Sequence, residues 1–233
     1  MRRIMILILS TVFLAFTPVT ANASVAHDEK STSTVTVNSY VTEDDEVEVV
    51  KEDVKIGNEN ATFERITYEN GVVHAKLTQK DTQTLIEYDP KTNELFVDGE
   101  KHEIAVTSSD EAPAEALKEG NSIQAVPKGG KYMGATKYSL NIAKLTASAA
   151  AAALSTVTKA PVKACLAALS VFIGANTTVY YTVYQYRYSK KCQSYRYFNL
   201  TKVWKNSKRE KLHKKLESGM FFASKPNPIS CKP

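Results

Sequence analysis

The stretch from residue 139 to residue 188 constrains this chain more than any other. It begins SLNIAKLTASAAAAALSTVTKAPVKACLAALSVFIGAN, runs into TTVYYTVYQYRY, and lies in a region, residues 126–209, with no acidic residue. An alanine-rich apolar block that leads into a tyrosine cluster is either the core of a small domain or a surface that meets lipid. Residues 140–157 are dominated by alanine, the best helix former, and predict a first helix. Pro161 suits the first position of a second helix, where its missing N–H has no partner to lose, and that helix is expected over 162 to about 173. Small side chains let two such helices approach closely. From Thr177 the β-branched and aromatic residues alternate in part and predict a strand. A turn at 189–193 and a return strand over 194–205 follow. The segment SKREKLHKKLE, residues 207–217, reads as a short basic helix.

The chain opens with Arg2 and Arg3, an apolar run over 4–16, Pro18, and the small-residue site Ala21-Asn22-Ala23. That order is the layout of a secretory signal peptide cut between Ala23 and Ser24. Its apolar core is shorter than the about 20 residues a membrane span needs. The net charge of +5 conceals a division: residues 24–126 hold 9 Lys and Arg against 23 Asp and Glu, whereas residues 127–233 hold 19 against 2. Asymmetry on this scale marks an acidic and a basic module with different partners.

Residues 24–45, rich in Ser, Thr, Asp and Glu, are expected to be a flexible N-terminus or a loose edge strand. Residues 46–107 read as an acidic antiparallel β-meander, with Val47, Val49, Val54 and Ile56 as inward candidates of its first strand. Asn70-Gly71 and Asp98-Gly99 mark two-residue hairpin turns, because both central positions of a type I′ turn need positive φ. Residues 108–130, with Pro113, Pro127 and Gly129-Gly130, read as a linker open to proteolysis. Residues 131–233 form the basic half. The expected class is therefore α+β: an acidic meander, then an Ala-rich helix pair and an aromatic β-hairpin.

Ala164 to Tyr186 is an uncharged run. As one helix it would reach about 34 Å, against a hydrocarbon core of about 30 Å. Leu166, Leu169, Phe172 and Ile173 supply its apolar surface. Beyond it stand Tyr180, Tyr181, Tyr184, Tyr186, Tyr188, Tyr195 and Tyr197, then Trp204, residue types that settle at membrane–water interfaces. Arg187, Lys190, Lys191 and Arg196 lie among them, and cations near an anionic surface add attraction. The combination predicts contact with an anionic bacterial membrane or a cell-wall polyanion. Export argues against nucleic acid as the partner, although basic–aromatic interleaving also suits it. A wall-associated adhesion protein would keep the basic face without needing the apolar block.

Three cysteines, Cys165, Cys192 and Cys231, allow one bridge in an oxidising compartment. Spacing does not choose among the three possible pairs: Cys192 with Cys231 would tie the tail to the tyrosine region, and Cys165 reads as a buried small hydrophobe. No Cys/His cluster indicates a metal, no motif indicates a cofactor, and HExxH, GxSxG and phosphate-cradling glycine loops do not occur. The expectation is a protein without enzymatic activity.

The secretion signal, the acidic strand-rich half and the Ala-rich block followed by YYTVYQYRYSKKCQSYRYFN resemble the large secreted bacteriocins of the geobacillin type. The similarity is one of layout, strongest over residues 138–207, and carries no catalytic motif. It implies a non-enzymatic antibacterial protein acting on related Gram-positive cells, and it assigns no functional residue.

Overall fold

The computed structural model describes residues 35–38, 46–109, 126–170, 172, 178–189 and 195–222. They form two antiparallel sheets and two helices, an α+β architecture. The first sheet follows chain order: β1 (Val35–Asn38), β2 (Glu46–Ile56), β3 (Glu59–Tyr68), β4 (Val73–Gln79), β5 (Thr82–Asp89), β6 (Glu94–Val97) and β7 (Glu100–His102). After Glu103 the chain enters the second sheet with β8 (Ile104–Ser109), which pairs with β9 (Lys131–Asn141). Two helices, α1 (Ala147–Thr158) and α2 (Val162–Leu169), precede β10 (Thr178–Tyr188), β11 (Arg196–Trp204) and β12 (Leu212–Phe221). The order across the second sheet is β12-β11-β10-β9-β8.

Burial along the first sheet alternates strictly, the period-2 signature of a sheet with one covered face. Phe63, Leu77, Ile86 and Leu95 point inward and cluster with Val179, Tyr181, Val203 and Leu216 of the second sheet. The helices complete this core, α1 against β4, β5 and β6, and α2 against β2 and β12. Residues 33–233 are one compact unit, so the change from acidic to basic composition falls inside it.

The helix α1 explains why an alanine run is needed. Every residue from Ala149 to Thr158 is buried, so no polar face is available to solvent. The helix begins at Thr146, whose Oγ1 accepts the Ala149 N–H at 3.2 Å. Its buried hydroxyls bond backwards: Thr156 to the Ala152 carbonyl at 2.8 Å and Thr158 to that of Leu154 at 2.7 Å. It ends at Lys159, in the left-handed conformation with φ 64°, whose N–H meets the Ser155 carbonyl at 2.8 Å.

Several expectations are corrected. The first helix starts at Ala147 instead of near Leu140, because residues 131–141 form β9, a strand beside β10 with Leu140 fully buried. The second helix ends at Leu169, short of 173. Residues 207–217 are not a helix: the chain turns near Asn206–Arg209 and enters β12, with Leu216 buried and Lys215 and Glu217 exposed. On β2 the buried side chains are Glu48, Val50, Glu52 and Val54, and Ile56 packs on the same core, so Val54 and Ile56 face inward as expected whereas Val49 does not. Both residues of Asp98-Gly99 take positive φ, whereas at Asn70-Gly71 only Gly71 does and Asn70 Oδ1 instead accepts the Val72 N–H at 2.9 Å. Residues 1–23 with the Ala21, Ala23 and Ser24 site, most of 24–45, Ile173, Lys190, Lys191, Cys192 and Cys231 lie outside the described residues.

Candidate functional site

Strand β10 runs through the middle of the second sheet and sorts the tyrosine cluster onto two faces. Val179, Tyr181 and Val183 point into the main core, where Tyr181 stacks on Tyr138 with centroids 5.0 Å apart and planes 7° apart. Tyr180, Thr182, Tyr184 and Tyr186 point the other way. On this outer face Tyr184 and Tyr186 form a second small cluster with Ala135, Phe198 and Leu200, and Tyr132 and Tyr188 pack against it. The register that builds it pairs Tyr184 with Leu200 and Ala135, and Tyr186 with Phe198.

Cations lie over the rings. The Lys202 ammonium sits 5.3 Å from the Tyr184 centroid and the Arg209 guanidinium 5.7 Å from that of Tyr180. Arg187 lies 4.5 Å from Tyr195, and Arg196 lies 5.2 Å from Phe222. Each such pair is favourable by about 0.5–2 kcal/mol depending on desolvation. Arg209 also donates to the Tyr138 carbonyl at 2.9 Å, and burial pulls its pKa down from the ordinary arginine value. Trp204 donates from Nε1 to Thr182 Oγ1 at 3.1 Å. Around this face Lys205, Lys208, Lys211, Lys215 and Arg196 are exposed, with Tyr195, Leu212 and Met220 as exposed apolar surface.

The residues expected to meet an envelope therefore divide. Tyr180, Tyr184, Tyr186, Arg187, Tyr188, Tyr195, Arg196, Tyr197 and Trp204 belong to the β10–β11 pair and its ends. Leu169, Phe172 and Tyr181 are fully buried in the main core and Leu166 packs on it, while Tyr184 and Tyr186 are buried within the outer-face cluster, so these are not the side chains the folded chain presents to solvent. Among the described residues no helix is long and apolar enough to cross a membrane. Cys165 is a free, buried thiol, and burial pushes its pKa up to about 12.

A buried set of charges holds the helix pair against the first sheet. Glu52, on β2, accepts the Val162 N–H at 2.8 Å and the Lys163 N–H at 3.1 Å, capping α2 where Pro161 offers no side-chain cap. Arg65, on β3, donates to the Ser155 carbonyl at 3.3 Å, and Lys159 donates to Thr67 at 2.8 Å. Burial raises the Glu48 carboxyl pKa against the opposing pull of Arg65 and Lys159. Burial, then the Arg65 charge, drives the Lys159 pKa well below the ordinary lysine value. The sequence gives no sign of this set, because its members are 17 to 111 positions apart in their pairings and Glu48 and Glu52 lie on a strand whose inward face was read from its valines and Ile56.

Beside the turn before β9, Tyr188 donates to the Pro127 carbonyl at 2.7 Å and its ring covers Gly130, where an added Cβ would stand 2.5 Å from the phenol carbon. Among the described residues no group of His, Cys, Asp and Glu is arranged to hold a metal ion. Comparison with protein-family models, curated proteins and solved structures returned no match.

Proposed function

We propose that this chain is a secreted, non-enzymatic antibacterial protein that binds the anionic envelope of Gram-positive bacteria through the basic, tyrosine-rich outer side of its second sheet. The observation that carries the reading is the gathering of rings and cations on one sheet whose neighbouring strands and turns contribute almost no acid. Exposed lysines supply long-range attraction to a polyanion. Tyr195, Leu212 and Met220 supply apolar anchoring at short range. The acidic meander of the first sheet serves as a soluble carrier for the helix pair and the aromatic hairpin.

Binding by the folded chain uses the outer face and leaves the Ala-rich block in place. Membrane damage needs a further step that separates α1 and α2 from the first sheet, such as cleavage near Gly129-Gly130. Because the helices are buried, a second reading also has support: retention on a wall polyanion without killing. Purified mature chain is titrated with phosphatidylglycerol vesicles, phosphatidylcholine vesicles and purified cell walls, with a spot test on Gram-positive strains in parallel. The proposal expects binding to anionic vesicles over neutral ones, together with growth inhibition. Binding to walls alone with no inhibition selects the second reading, and no binding to either overturns both.

A further inference from the structure

Beside the C-terminal end of α1, residues of both sheets bound an open cleft of ≈ 410 Å³. That volume lies in the range of small-molecule sites, roughly 300–1,000 Å³. Val73, Val157, Val183 and Phe221 give it apolar walls, and Lys159 lines it. The neighbouring amides are already engaged: Gln185 donates to Asn199 at 3.4 Å, and Asn199 donates to the Thr158 carbonyl at 3.3 Å. Tyr88 donates to Asn93 at 3.4 Å.

Lys159 differs from these. An ammonium has three donors, and among the described residues this one makes a single hydrogen bond, to Thr67 Oγ1 at 2.8 Å, and no ion pair. Its backbone is left-handed with φ 64°, a position that glycine commonly fills. A lysine there carries both backbone strain and an under-solvated charge, and such costs gather at ligand sites. Lys159 is the one lysine or arginine among the residues lining the cleft, and Glu48, the carboxylate that acts on it, is not among them.

We propose that this cleft binds a small amphipathic monocarboxylate, with the carboxylate on the two donors of the Lys159 ammonium that no described residue takes and the apolar body between Val73, Val157 and Val183. Arg65 of β3 and Glu48 of β2 are the other charges that act on this ammonium. Glu48 offsets part of what burial and Arg65 cost this ammonium, and a bound carboxylate adds a counter-charge on the cleft side. The cleft shares Ala135 and Phe222 with the edge of the outer face but none of that face's exposed lysines, so its binding does not depend on envelope binding.

The test is calorimetric titration of the purified mature chain with octanoate and, as the uncharged counterpart, 1-octanol. Octanoate should bind at least about tenfold more tightly than octanol. Lys159→Met should bring the two ligands level. Met133 also lines the cleft and is 44 % exposed, so Met133→Glu adds a negative charge there at little risk to folding. It should weaken octanoate severalfold and leave octanol unchanged, which keeps the test decisive if Lys159→Met does not fold. Equal affinity for the two ligands in the unmodified chain, no binding of octanoate, or octanoate affinity unchanged by Met133→Glu would overturn the proposal.

Discussion

Glu52 is the residue whose loss should be felt most for its size. It is 2 % exposed, and its two oxygens accept the first two N–H groups of α2 at 2.8 and 3.1 Å. It also favours the charged form of the buried Arg65. In Glu52→Gln one oxygen becomes an NH2 that faces an N–H, so one of two charge-assisted bonds is lost, at about 1.5–3 kcal/mol. The helix N-terminus also loses its counter-charge, a further roughly 0.3–2 kcal/mol depending on burial. The expected destabilisation is about 2–4 kcal/mol, a large part of a stability that for single domains runs about 5–15 kcal/mol. Glu52→Ala removes both acceptors and should cost about 3–5 kcal/mol. Urea unfolding of the mature chain followed by circular dichroism reads this as a lower midpoint at unchanged slope. A shift under about 0.5 kcal/mol for both variants, the range of ordinary surface changes, would refute the view that this carboxylate couples the acidic strands to the helix pair.

Other outcomes follow from the same geometry. Gly130→Ala should destabilise by about 1–3 kcal/mol, because Tyr188 must leave its place over residue 130, and the variant should be cut faster at 127–130 in limited proteolysis. Cys165 should stay unmodified by a maleimide at pH 8 in the native chain and react once urea unfolds it, as peptide mapping would show. Lys159 has a folded-state pKa below its unfolded value, so its penalty is complete below the folded pKa and fades as pH rises through the interval up to the ordinary lysine value. Stability should therefore climb with pH across that interval, and Lys159→Met should flatten the climb. Reversing Lys205, Lys208, Lys211 and Lys215 to Glu should abolish sedimentation with phosphatidylglycerol vesicles while leaving the urea midpoint nearly unchanged, since all four are exposed.

The legible parts of the fold were those set by local chemistry. The tyrosine strand, its return and the Asp98-Gly99 turn rest on side-chain alternation and on φ > 0, which nearby residues determine. Strand β9 was not visible, because KYMGATKYSLN mixes glycine, alanine and lysine and acquires strand character from β8 and β10 on either side. Residues 207–217 carry leucines at 212 and 216, a helical spacing, yet an available edge on β11 draws them into β12. On β2 the hydrophobic pattern found Val54 and Ile56 but put Val49 inward in place of Val50. Glutamates at 48 and 52 face inward because a helix N-terminus, Arg65 and Lys159 arrive there from distant positions. The tyrosines and cations of the second sheet were readable as a set, but their division between an inner and an outer face needed the register. The charge division also takes on a different meaning. The halves are joined by buried bonds such as Arg65 to Ser155, which salt screens far less than it screens surface charges.

The central claim is that the folded chain meets an anionic envelope through the outer side of the second sheet while the Ala-rich block stays a core. Hydrogen exchange with mass spectrometry, on the mature chain with and without phosphatidylglycerol vesicles, tests it most directly. The account predicts new protection over residues 195–215, with α1 exchanging as slowly as in the free protein. Faster exchange across Ala147–Thr158 on vesicle binding, with no added protection over 195–215, would contradict it.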